Sequence, residues 1–237
     1  MKKVLVILMV LLAVTTTAVF AKQGFTLRGG FSYDFVNVKI PKIIGLFGDD
    51  TYWRANALGA EFGVTYNFSD SFLVYADTTL GFYGKFKVGD EEIKKDDDEK
   101  VFFLGTAEHA GVAYDFDFGS ALDLQVGGGF AAEYARATQA TTTTAGTVTT
   151  TETNSIGVLA LGVGLYANVG YKLSDRVAIT ATVHPDFMFV SSFVGADTTS
   201  ISDSESKVVS EVTHTTLILD TAFSFKFNAS VGVTFQF

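Results

Sequence analysis

The chain has no cysteine, two prolines and one tryptophan among its 237 residues. Without cysteine there are no disulfides and no thiolate metal site, so nothing covalent staples the fold. Positive charge is also short. The formal net charge is −9, and it falls to −11 if Lys2 and Lys3 are removed with an N-terminal signal. That balance argues against a nucleic-acid partner and for solvated acidic loops. Beyond the N-terminus no apolar, charge-free run approaches the roughly 20 residues a membrane helix needs.

Phenylalanine and glycine are abundant instead, with 23 of each, and 48% of the chain is hydrophobic. The N-terminus begins Met1-Lys2-Lys3, continues as an apolar run from Val4 to Val14, and ends in small residues up to Ala21. A basic start, a short apolar core and Val19 and Ala21 at the −3 and −1 positions describe a cleaved secretory signal over residues 1–21. The run is too short for a helical anchor. Residues 22–237 then form one domain.

From Phe25 onward the dominant period is two, the signature of strands with unlike faces. Phe25, Leu27, Gly29, Phe31, Tyr33 and Phe35 share one face, opposite Thr26, Arg28, Gly30, Ser32 and Asp34. Similar segments cover about 57–68, 72–86, 101–118, 122–136, 156–173, 177–190 and 217–237, eight in all. Their connections alternate in length. Ser69-Asp70-Ser71, Gly119-Ser120-Ala121 and Ser174-Asp175-Arg176 are tight, whereas 37–56, 88–100, 137–155 and 191–215 are long and polar. An even strand count with short turns on one side and long loops on the other is the pattern of a transmembrane antiparallel up-and-down β-barrel. A soluble barrel would turn its apolar faces inward, where so many Phe and Leu would overfill the interior. In lipid they point out and the polar faces point in. Aromatic residues gather near the strand ends. Tyr66, Phe68, Phe72, Phe116, Tyr171, Phe235 and Phe237, with Tyr114 and Phe118, would form the girdle at the periplasmic interface.

On these features the chain resembles the small outer-membrane barrels of the OmpA, OmpX and OmpW type. The carrying residues are the signal, the eight segments over 25–237, and the terminal Val231-Gly232-Val233-Thr234-Phe235-Gln236-Phe237. The resemblance implies the outer membrane of a two-membrane bacterium, surrounded by lipid and a lipopolysaccharide-type surface. It implies delivery by the barrel assembly machinery through Phe237, and a monomer. The OmpW type implies a second reading, a narrow conduit for small solutes or hydrophobic molecules.

The interior of an eight-stranded barrel has room for side chains or one small ligand, which excludes a general porin. Inward ionisable residues include Arg28, Glu61, Asp77, His109, Asp123 and Lys226, together with Asp34, Glu133, His184 and Asp186. Buried charges must pair or be hydrated. They therefore form a salt-bridged plug centred on Arg28 and Lys226, or else line a cation-favouring path. Inward positions on the middle strands are small: Gly105, Gly127, Gly129, Gly162 and Gly164 either relieve crowding or leave a cavity along one wall.

No enzyme is expected. Glu108 and His109 point to opposite faces of one strand, and no serine nucleophile motif accompanies them. Glu108 would fall on the lipid face, which suggests a strand end or bulge near the outer rim. Pro185, between His184 and Asp186, lacks an amide and implies another bulge. Residues 89–100 carry seven acids but lack the glycine and ligand spacing of a calcium loop. No metal and no cofactor are expected. The 137–155 segment, with Thr141–Thr144 and Thr149–Thr151, suits a flexible or β-extended surface loop. Loop 37–56 carries Ile40, Pro41, Ile43, Ile44, Leu46, Phe47, Tyr52 and Trp53, which fold over the mouth or meet a small-molecule or host ligand. The expected role is structural or surface-interacting, with the conduit as the alternative.

Overall fold

The computed structural model describes residues 24–40, 51–88, 91–92, 99–118, 121–202, 208–220 and 224–237. All regular structure among them is strand. The staves of the barrel are β1 (Phe25–Ile40), β2 (Thr51–Asn67), β3 (Phe72–Val88), β4 (Glu99–Asp117), β5 (Leu122–Ala145), β6 (Val148–Lys172) and β7 (Val177–Ser202). The eighth, β8, comes in two segments, Val208–Asp220 and Ser224–Gln236. Each stave pairs antiparallel with its neighbour in sequence, and Ser224–Gln236 closes on β1, setting Thr26 against Gln236 and Asn37 against Phe225. The result is a closed eight-stranded transmembrane barrel.

Alternation decides which side each residue takes, because successive side chains on a strand leave opposite faces. On β1 and β2, Phe31 is 84% exposed and Leu58 71%, while Ser32, Asp34 and Glu61 are buried. A water-soluble fold inverts this arrangement; a lipid-facing one requires it. At the turn end the outward aromatics touch in series. Ring centroids lie 6.3 Å apart for Phe68–Phe72, 5.1 Å for Phe72–Tyr114 and 4.6 Å for Tyr114–Phe116. Phe237 meets Phe25 at 6.4 Å, carrying the belt across the closing seam. Tyr66, Tyr171 and Phe235 are likewise exposed.

Two of the tight turns are built alike. Phe68 and Ser69 donate their amides to the Phe72 carbonyl, as Leu173 and Ser174 do to that of Val177. Ser69 Oγ accepts from the Phe72 amide at 3.0 Å, and Ser174 Oγ from the Arg176 amide at 3.4 Å. Residues 119–120 of the third turn lie outside the described residues.

The long connections are shorter than the periodicity indicated. Residues 137–145 and 148–155 continue β5 and β6 as one ladder, and 191–202 extends β7 against β6 and against Val208–Asp220. Threonine is the physical reason. Its β-branched side chain favours extended backbone, and facing threonines bond across the ladder at 3.3 Å (Thr142–Thr151) and 3.2 Å (Thr144–Thr149). Gly146, at φ +64°, supplies the left-handed residue that reverses the chain. Residues 37–40 and 51–56 are also strand, and only 41–50 of the apolar loop remain, outside the described residues.

Glu108 is neither at a strand end nor in a bulge. It sits at the centre of β4, faces outward, and accepts a hydrogen bond from Thr78 on β3 at 2.5 Å. The irregularity near Pro185 is present but displaced. The β6–β7 register shifts between Leu161 and Gly162, and its ladder is interrupted from Leu165–Tyr166 across to His184–Pro185.

Candidate functional site

The lumen is filled by side chains from all sides of the barrel. Arg28 on β1 lies between two carboxylates: Nε is 2.9 Å from Glu61 Oε1 on β2, and Nη2 is 2.6 Å from Asp77 Oδ1 on β3. Its Nη1 donates to the Tyr166 hydroxyl at 3.2 Å, which in turn donates to Gln125 at 2.9 Å. Asn168 also donates to Gln125, and Thr182 to Asn168. One chain of polar contacts therefore crosses the barrel from β1 to β7.

Lys226 on β8 anchors a second group. Its Nζ is 3.5 Å from Asp34 and 3.9 Å from Glu133. Asn228 Nδ2 donates to Asp34 at 2.6 Å. Between the two groups lie the imidazoles of His109 and His184, stacked at 4.0 Å with planes 13° apart. His109 Nε2 is 2.8 Å from Asp186, and His184 Nε2 is 3.2 Å from Asp77. Tyr75 stacks on Tyr166 alongside, centroids 4.2 Å apart.

Of the residues expected in a polar network, Arg28, Glu61, Asp77, His109 and Lys226 are all buried together here. Asp123 stands apart. It is half-buried and lines a polar vestibule of about 310 Å³ at the turn end, with Asn67, Asp115, Gln125 and Lys172, and with Arg28 at its inner limit. Asn67 donates to Asp115 there at 3.3 Å.

Of the two readings of the glycine positions, relief of crowding is the one their surroundings among the described residues support. None of Gly105, Gly127, Gly129, Gly162 and Gly164 lines the vestibule. A Cβ at Gly127, Gly129 or Gly162 would strike the neighbouring strand's backbone, and one at Gly164 would strike the Asp186 carboxylate. The inward face opposite these glycines is taken up by Tyr75, Tyr166 and Met188, all buried. Small residues on this wall admit a tight sheet and the large side chains that fill the bore.

Sequence reasoning identified the charges, and Tyr75 and Tyr166 as bulky residues able to fill this wall, but not their stacking. Tyr75 and Tyr166 sit inward among polar neighbours on strands 91 residues apart, and only barrel closure stacks them. Their one visible signal was two tyrosines on faces otherwise made of small or polar residues.

No protein-family model and no curated protein sequence matches the chain. Solved structures do. The outer membrane protein OprG from Pseudomonas aeruginosa aligns with a TM-score of 0.54 at 12% identity, over 91% of this chain and 96% of that one. A major outer membrane protein from Thermus thermophilus aligns with a TM-score of 0.55 at 11% identity, over 88% of this chain and 99% of that one. This chain has the fold of a small outer-membrane β-barrel. At such identity the likeness speaks to fold alone, so the lumen and the surface strands must supply the functional argument for this barrel.

Proposed function

We propose that the chain is a non-enzymatic outer-membrane barrel with a sealed lumen, whose role is structural or carried by its outer surface. In this reading it is exported through the 1–21 signal, assembled by recognition of Phe237, and works as a monomer in the outer membrane. The observation that supports closure is the layer formed by Arg28, Glu61, Asp77, Tyr75, Tyr166 and the histidine pair, every member of which is buried. A path through it would require breaking two ion pairs of Arg28 at once. The His–carboxylate pairs face each other inside the bore, away from any solvent-exposed substrate.

Recognition would then fall to the outer extensions of β5, β6 and β7, where the threonine ladder projects beyond the apolar belt. Single-channel conductance of the refolded chain tests the proposal. A silent, stably inserted barrel agrees with it, and discrete cation-selective steps would reject it.

The conduit reading has one observation of its own, the vestibule of about 310 Å³ that reaches Arg28 from the turn end. It would become a pathway only if the layer at Arg28 and Tyr166 opened.

A further inference from the structure

Among the described residues, five buried carboxylates (Asp34, Glu61, Asp77, Glu133 and Asp186) face only two buried fixed cations, Arg28 and Lys226. Carboxylates at this depth need a counter-charge or a hydrogen-bond donor for their oxygens.

The geometry points to a divalent transition-metal site formed by Glu61, Asp77 and His184. One ligand atom from each of the three lies within 4.8 Å of the others, and the residues are 1%, 2% and 1% exposed. Arg28 engages Glu61 Oε1 and Asp77 Oδ1. The second oxygen of each carboxylate makes no hydrogen bond. Neither does Nε2 of His184, which lies 3.2 Å from Asp77 Oδ2 without hydrogen-bond geometry. Orphaned polar atoms at this depth call for a partner. One imidazole with two carboxylates suits zinc and its first-row neighbours, whereas calcium prefers an all-oxygen shell. The vestibule from the turn end reaches Arg28, the residue that contacts two of the three ligands. The site stands independently of whether the barrel conducts.

Zinc titration by calorimetry, on the chelator-treated chain in detergent micelles, tests this. The expected result is one Zn²⁺ per chain, lost in His184→Ala, weakened roughly tenfold or more in Glu61→Gln, and unchanged in His214→Ala. Absence of binding by the unaltered chain, or binding kept in full by His184→Ala, would overturn the site; the latter would mark a surface zinc only. If His184→Ala fails to fold, the Glu61→Gln titration and X-ray absorption of the zinc-loaded unaltered chain decide. A shell containing one imidazole among oxygens is expected, and a shell with no imidazole refutes it.

Discussion

Tyr75 on β3 and Tyr166 on β6 lie face to face inside the barrel, their rings 4.2 Å apart and 15° from parallel. Opposite walls of the bore thus touch directly, with Leu73 and Ala113 packed at the same level. Tyr166 also carries hydrogen bonds to Arg28 and Gln125, so it couples the aromatic layer to the ionic one.

Truncating that contact should open the bore. Tyr166→Ala is expected to lose about 3–5 kcal/mol of folding stability, in the range for removing a large buried ring, read as a lower urea midpoint. The same variant should show conductance steps in a planar bilayer where the unaltered barrel is silent. Silence in the variant would mean that the ionic layer alone seals the lumen.

Arg28 pairs with two carboxylates, and its removal leaves both buried without that partner. Arg28→Ala should cost about 3–5 kcal/mol, the usual penalty for breaking a buried pair by deleting one partner. Arg28→Lys keeps the charge but not the fork that reaches Glu61 and Asp77 together, so its cost should fall between zero and that of alanine. Urea unfolding of the two variants side by side checks the order.

Glycine matters where a carboxylate or a backbone occupies its missing Cβ position. At Gly164, on the inward face, an added Cβ meets the Asp186 carboxylate, whereas at Gly29, on the outward face, it meets nothing within 4 Å. Gly164→Ala should therefore destabilise by about 1–3 kcal/mol through overpacking, and Gly29→Ala should be close to neutral. Equal effects at both positions would refute the packing account of the glycine wall.

Glu108 is a carboxylate on the outward face that accepts a hydrogen bond from Thr78. Replacing it with leucine should stabilise the lipid-inserted barrel by about 1 kcal/mol, since charged groups on that face carry a depth-dependent penalty. Reversible unfolding from lipid vesicles measures it. A loss of stability would show that the Thr78–Glu108 pair outweighs the cost of exposing a charge to lipid.

Much of the barrel was legible in the residues because strand alternation is a local property. Phe31 and Ser32 take opposite faces whatever the rest of the chain does, and so do Phe62 and Glu61. The period of two therefore sorted lipid-facing from lumen-facing side chains, and the tight Ser-Asp turns counted the strands. The threonine run at 141–151 was harder, since polarity pointed to a loop while β-branching pointed to a strand. The ladder partner across Gly146 resolved it. What no linear reading could supply was distance across the bore. Which carboxylates Arg28 would hold, that His109 would stack on His184, and that Tyr75 and Tyr166 would fill the space the glycines seemed to leave all depend on how far the closed sheet staggers and curves. That stagger is a sum over every pairing register around the ring, so it exists only once the last strand has met the first.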